Sequence, residues 1–211
     1  MDVAEGRALT FQSDGLTLEG ALHLPTTVPA PGIVICHPHP QYGGDMRNNV
    51  VATLCQVAVD SGVAALRFNF RGVGASGGAH DNGRGERQDV AAALVHLRSL
   101  PEIDGDRTAL AGYSFGAAMA VLSVDETTRA LICVSTPTIS GAISQIDASC
   151  PVLLVSGDRD EYSDTATLAR ISEPLGDRAE LVILPGVDHF WWGSDDRLAE
   201  IVSAFLANHL M

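Results

Sequence analysis

Ser114 sits at the centre of Gly112-Tyr113-Ser114-Phe115-Gly116, and two later segments carry the groups that could activate it. A serine hydroxyl is a weak nucleophile until a neighbouring base takes its proton. His189, in Gly186-Val187-Asp188-His189-Phe190, is the side-chain type for that base. An acid would hold the imidazole in the right tautomer and stabilise its charged form. Asp158 and Asp160 compete for that role in Gly157-Asp158-Arg159-Asp160. Past a strand end the later residue has more freedom to reach a partner, and Asp160 is favoured. Asp188 adjoins His189 too closely to orient it and reads as a turn residue.

Other chemistry competes for attention. His37 and His39 form an H-x-H pair, with His80 in a later loop, but no third ligand has helpful spacing and no metal is expected. Cys36 ends an apolar run, which suits a buried thiol better than a nucleophile. Gly72-Val73-Gly74-Ala75-Ser76-Gly77 matches G-x-G-x-x-G literally. A dinucleotide site would need a helix to open at once, whereas Gly78 to Gly83 continues as loop. No cofactor is expected. Arg71 is expected to anchor this loop through a carboxylate, with Glu86 and Asp89 both within range.

The elements that must position these groups follow from periodicity. Leu16 to Leu24 alternates as a strand with one wet face. Gly32–Cys36, Val63–Phe70, Thr108–Ala111, Ala130–Ser135, Pro151–Ser156 and Glu180–Leu184 are short apolar runs, most of them continuous enough for burial on both faces. Between them lie helical patterns at Asn48–Ser61, Glu86–Leu100, Ala117–Leu122 and Thr165–Leu175, with a last amphipathic one at Asp195–His209. Alternation of this kind implies a mostly parallel sheet with helices on both faces. Ligands then bind beyond the carboxyl ends of the strands, and Ser114, Asp160 and His189 each follow one.

The chain of 211 residues is long enough for one sizeable core, read as one domain over residues 1–211. Apolar residues make up 46% and charged ones 18%, the balance of a packed globular protein. A net charge of −13 repels phosphate backbones and anionic lipid, so neither nucleic acid nor membrane is an expected partner. Met1 to Arg7 lacks the basic and apolar stretches of a secretory leader, and the four cysteines show no CxxC spacing, so a reduced, cytoplasmic setting is expected.

Taken together, the Ser114, Asp160 and His189 segments resemble the serine α/β-hydrolase superfamily, in the chain order Ser, Asp, His. His37-Pro38-His39-Pro40-Gln41-Tyr42-Gly43-Gly44 and Arg67-Phe68-Asn69-Phe70-Arg71-Gly72 narrow the resemblance to small, cap-less, dienelactone-hydrolase-like and acyl-peptidase-like proteins. The resemblance implies an α/β-hydrolase fold with about eight strands and no cap domain, the connection from Thr136 to Ser149 being too short for one. It also implies the triad Ser114, Asp160 and His189. Many relatives carry His-Gly where this chain has His37-Pro38-His39-Pro40. Proline has no N–H to donate, so the His39 amide matches the oxyanion position, with Gln41 or Tyr42 as alternatives and Phe115 as the second donor. Tyr42, Phe190 and Trp191 are the substrate-pocket candidates, although the last two could equally pack the loop onto the final helix. The expected activity is hydrolysis of a small-molecule carboxylic ester or thioester. The alternatives are a peptidase or amidase of the same fold, or a degenerate binding module.

Overall fold

The computed structural model describes residues 6–138 and 146–211. The start of the leader reading (residues 1–5) and the middle of the Thr136–Ser149 connection (residues 139–145) lie outside them. Eight strands form one sheet: β1 (Arg7–Ser13), β2 (Leu16–His23), β3 (Ala30–Cys36), β4 (Ala64–Phe68), β5 (Ile103–Tyr113), β6 (Thr128–Val134), β7 (Val152–Gly157) and β8 (Ala179–Leu184). Their order is β1-β2-β4-β3-β5-β6-β7-β8. The pairs from β4 to β8 are parallel, whereas β1–β2 and β2–β4 are antiparallel.

Sequence dictates this split. Every residue of β3 is buried, as a strand covered on both faces requires. β1 and β2 alternate instead, and form a hairpin through Asp14-Gly15, both at positive φ, the combination a tight two-residue turn favours. β1 is the strand missing from the seven runs read in the sequence.

Among the described residues, five α-helices cover the sheet: α1 (Asn49–Asp60), α2 (Arg84–Arg98), α3 (Phe115–Val121), α4 (Thr165–Ser172) and α5 (Asp195–His209). Val51, Leu54 and Ala58 of α1 and Leu198, Val202 and Phe205 of α5 fill one core layer. Val90 and Leu94 of α2, Ala117 to Val121 of α3, and Leu168 and Ile171 of α4 fill the other. No described helix is long and apolar enough to cross a membrane.

The loop after β4 is pinned by a buried ion pair. Arg71 donates from Nε and Nη2 to Asp89 Oδ2 and Oδ1 at 3.0 and 2.8 Å. The Arg71 amide and the Ser13 hydroxyl complete the carboxylate's partners at 3.1 and 2.7 Å. Asp89, not Glu86, is therefore the anchor. Glu86 instead accepts the Asp81 and Gly83 amides at 2.9 and 2.8 Å, closing the start of α2.

Candidate active site

The residues with chemical potential stand together at the carboxyl edge of the parallel strands. β5 runs directly into Ser114, which adopts φ 54°, ψ −121° and begins α3. A non-glycine residue in that region is strained, and the surrounding packing enforces it. A methyl group on Gly112 would collide with the Gly116 main chain, and one on Gly116 with the carbonyls of Cys36 and His37. Only glycines allow β5, α3 and the end of β3 to approach this closely.

His189 Nδ1 lies 2.8 and 2.9 Å from the two carboxylate oxygens of Asp160. An ionised carboxylate only accepts, so the proton belongs on Nδ1 and Nε2 is the free acceptor. Ser114 Oγ is 3.0 Å from that Nε2. Asp160 and His189 are both buried. Burial works against the charged form of Asp160, but the hydrogen bond from His189, aided by the neighbouring Ser135 hydroxyl, outweighs it and holds the carboxyl below the usual range. The Tyr162 and Ser163 amides also donate to Asp160, at 3.0 and 3.1 Å. Asp158 braces a different segment. Its Oδ1 accepts the Gly186 amide at 2.7 Å and steadies the turn that leads to the histidine. Asp188 likewise accepts the Phe190 amide at 2.9 Å, as a turn residue does.

The loop after β3 turns at His39, which precedes a 3₁₀ turn over Pro40–Tyr42. Inside that turn the amides are already used. Gln41 N–H donates to His39 Nδ1 at 3.2 Å, and Tyr42 N–H to the His39 carbonyl at 3.1 Å. Among the described residues, the His39 and Phe115 amides have no hydrogen-bond acceptor. The two side chains also pack on each other, ring centres 4.9 Å apart. His80 touches both rings, at 4.9 Å from His39 and 5.7 Å from Phe115. Its Nδ1 approaches Glu86 Oε1 to 2.8 Å, out of line for a hydrogen bond. Burial, then the nearby His80, pushes the His39 imidazole down; Glu86 opposes this more weakly.

His37 is a brace rather than a ligand. Its Nδ1 meets the Pro38 carbonyl at 2.6 Å, and its Nε2 accepts the Phe70 amide at 3.0 Å. Both ring nitrogens are thereby committed. Among the described residues, no group of three or more His, Cys, Asp or Glu side chains has a metal-binding arrangement. Cys36 is buried, and burial first, then Cys133 and Asp89, pushes its thiol far above the ordinary range.

The pocket candidates divide. Tyr42 is 87% exposed and its ring lies 4.8 Å from that of His39. Phe190 is 53% exposed, with its ring 5.8 Å from His189. Trp191 requires a correction. It is 0% exposed, packed in the core layer that includes α5, and its indole N–H donates to Ser135 Oγ at 2.9 Å. Trp191 has φ 63°, and this turn carries the ring inward, where it lines no open pocket. Sequence reasoning misses Tyr162, which is half exposed and lays its ring 4.7 Å from that of His189. Its position two residues after Asp160 is the available signal. Tyr113 and Ser135 escape too, because their partners lie far away in sequence.

A sheet of this order, with a serine at the strained turn after β5 and a histidine after β8, is the α/β-hydrolase arrangement. The chain belongs to the dienelactone hydrolase family, whose model matches residues 18–204. An α/β serine hydrolase homologue from Coxiella burnetii superimposes with TM-score 0.85 at 32% identity, covering 98% of this chain and 100% of that one. A lidless α/β serine hydrolase from Xanthomonas campestris gives TM-score 0.86 at 30% identity, covering 97% and 95%. An uncharacterized protein of Rickettsia prowazekii is 31% identical over 200 residues, 90% of this chain and 84% of its own length. The protein is thus an α/β hydrolase of the dienelactone hydrolase type, with no cap domain among the described residues.

Proposed function

We propose that this hydrolase cleaves carboxylic esters or thioesters with Ser114 as nucleophile, His189 as base and Asp160 as the acid that orients it. The observation that carries the reading is the unbroken contact from Ser114 Oγ through His189 to Asp160. As Ser114 Oγ bonds to the carbonyl carbon, its proton passes to His189 Nε2. The carbonyl oxygen becomes an oxyanion, held by the His39 and Phe115 amides. Neither amide must break a protein hydrogen bond to do so, which is the form of preorganisation that stabilises developing charge most effectively. Gln41 and Tyr42, the alternative donors, would each have to give one up. The imidazolium then protonates the leaving oxygen or sulfur as its bond to the acyl carbon breaks. Water, deprotonated by His189, releases the acid and restores Ser114.

The absence of a cap domain among the described residues favours short acyl chains or bulky substrates entering from an open cleft, with Tyr42 and Phe190 as its aromatic walls. A chain-length series of aryl esters tests this, and a clear preference for long chains would overturn it. The four unpaired, buried cysteines suit a reducing, cytoplasmic compartment. The decisive experiment is labelling with a fluorophosphonate probe, with Ser114→Ala as control. Native protein that stays unlabelled would end the proposal.

A further inference from the structure

The chain has six Phe, three Tyr and two Trp, and four of these side chains are exposed: Tyr42, Tyr162, Phe190 and Trp192. Each lies within three residues of His39, Asp160 or His189. Exposed rings concentrated at one place on a surface mark a binding site. Two of them touch the histidine of the site. The Tyr162 ring centre is 4.7 Å from that of His189, and the Phe190 ring centre 5.8 Å. Tyr42 packs instead on His39, in the loop after β3.

The two rings beside His189 stand on held backbone. Tyr162 N–H donates to Asp160 Oδ1 at 3.0 Å, and its carbonyl accepts the Thr138 amide at 3.0 Å. Phe190 N–H donates to Asp188 Oδ1 at 2.9 Å, and its carbonyl accepts from Asn49 Nδ2 at 3.2 Å. Rings fixed in this way lose little further freedom when a ligand packs on them.

The chemistry determines which part of a substrate meets them. Ser114 Oγ bonds to the acyl carbon, and His189 Nε2 must then hand its proton to the leaving oxygen. The leaving group is therefore the part of an ester held against His189, where Tyr162 and Phe190 are the exposed rings. Around the Asp160–His189 pair, the same two loops expose Asp158, Arg159, Glu161 and Asp188. Three acids against one cation repel a negatively charged leaving group.

We propose that Tyr162 and Phe190 are specificity-determining residues, forming a leaving-group subsite for the uncharged aromatic ring of an alcohol, as in a benzyl ester. This rests on the roles proposed for Ser114 and His189. It gives the open cleft a direction, with the bulky part of the ester on the alcohol side.

Acetate esters of different alcohols share one acetyl-enzyme and hence one deacylation step. Leaving-group preference is then read in kcat/KM, corrected for each ester's rate in alkali. Benzyl acetate should exceed ethyl acetate by about tenfold, through apolar burial. It should exceed cyclohexylmethyl acetate about two- to tenfold, because contact between rings adds to burial. It should exceed the acetate ester of para-(hydroxymethyl)benzoate, which carries a carboxylate on the ring, by about tenfold. Benzyl acetate that fails to lead any one of the three would overturn the inference.

Tyr162→Leu and Phe190→Leu keep apolar bulk and the main-chain hydrogen bonds but remove the ring. Each should shrink the benzyl-to-cyclohexylmethyl ratio about two- to fivefold, whereas Tyr162→Phe should keep it. A residue that only supports the fold, or only places Asp160, would slow both esters alike. An unaltered ratio in either Leu variant, or a lost one in Tyr162→Phe, refutes the subsite.

Native protein supplies a readout that needs no variant. With phenyl acetate as donor, benzyl alcohol and ethanol at equal concentration compete for the acetyl-enzyme. The alcohol oxygen bonds to the acyl carbon, and its proton passes through His189 Nε2 to Ser114 Oγ as the acyl–Ser114 bond breaks. Benzyl acetate should be the main ester formed, and ethyl acetate in equal or greater amount would overturn the inference. Fluorophosphonate labelling keeps the two failures apart. A labelled protein with a flat ester series loses the subsite alone, while an unlabelled one loses the proposed function.

Discussion

Tyr113 donates its phenolic hydroxyl to the main-chain carbonyl of His189 across 2.6 Å. The residue before Ser114 thus holds the backbone of His189. Burial first, and then the charges of Asp160 and Asp188, push the phenol far above its ordinary range, so it remains a donor. Tyr113→Phe keeps the ring and leaves that carbonyl unpaired. It should cost about 1–3 kcal/mol of stability and lower kcat with little change in KM. Urea unfolding and steady-state kinetics on one preparation check both; a variant with wild-type turnover would show that the bond serves folding alone.

Asp160→Asn removes the carboxylate that fixes the Nδ1–H tautomer of His189. In a serine protease triad this change costs about 10⁴-fold in kcat, and a loss of that order is expected here. Asp158→Asn keeps an oxygen able to accept the Gly186 amide and should stay close to wild type. Ester hydrolysis rates for the pair decide between the two acids, and the opposite ranking would reassign the role.

The proposed oxyanion donor, the His39 amide, can be tested with little risk to the fold. His39 has φ −58°, close to what a proline ring imposes, and no described group accepts its N–H. His39→Pro should therefore fold and lose about 100- to 1,000-fold in kcat. His39→Ala keeps the amide and loses only ring packing and one acceptor, so its loss should be far smaller. Equal rates for the two would move the donor to Gln41 or Tyr42.

His37 links stability to pH. Burial depresses its imidazole to about 4, against a smaller opposing effect of its hydrogen bond to Pro38. Its contribution is fully present above the unfolded value of about 6.5 and is lost as pH falls toward the folded value. The sign follows because the unfolded chain takes up a proton that the folded state refuses. Over that window His37 alone should remove about 3 kcal/mol, given its folded value of about 4. His23, depressed to about 4 by burial and by Arg67, adds to the same decline. Urea midpoints from pH 7 down to 4 measure it. His37→Gln should lower stability at neutral pH yet flatten the slope, and an unflattened slope would place the linkage elsewhere.

Most of the scaffold can be read from the chain because its strands are buried on both faces and therefore apolar throughout. β1 escapes because an edge strand carries water-facing residues, although Asp14-Gly15 marks the hairpin that joins it to β2. Ser114, Asp160 and His189 are legible because each follows a strand end with its own glycine-bearing turn. Trp191 is misplaced for a physical reason: sequence adjacency to His189 says nothing about a backbone reversal that sends the ring into the core. The double duty of His37 is equally hidden, since Phe70 comes beside it only when β3 and β4 pair. The choice among His39, Gln41 and Tyr42 needs the hydrogen bonds of the 3₁₀ turn, which no spacing records.

The contact of Gly116 with the carbonyls of Cys36 and His37 also separates two kinds of change. It rivets α3, which begins at Ser114, to the end of β3, from which the His39 loop departs. The exposed aromatics Tyr42, Tyr162 and Phe190 lie on segments outside that joint. Substitution can therefore reshape these exposed side chains while the joint between the Ser114 turn and β3 keeps its dimensions, so that one rigid frame carries many different rims.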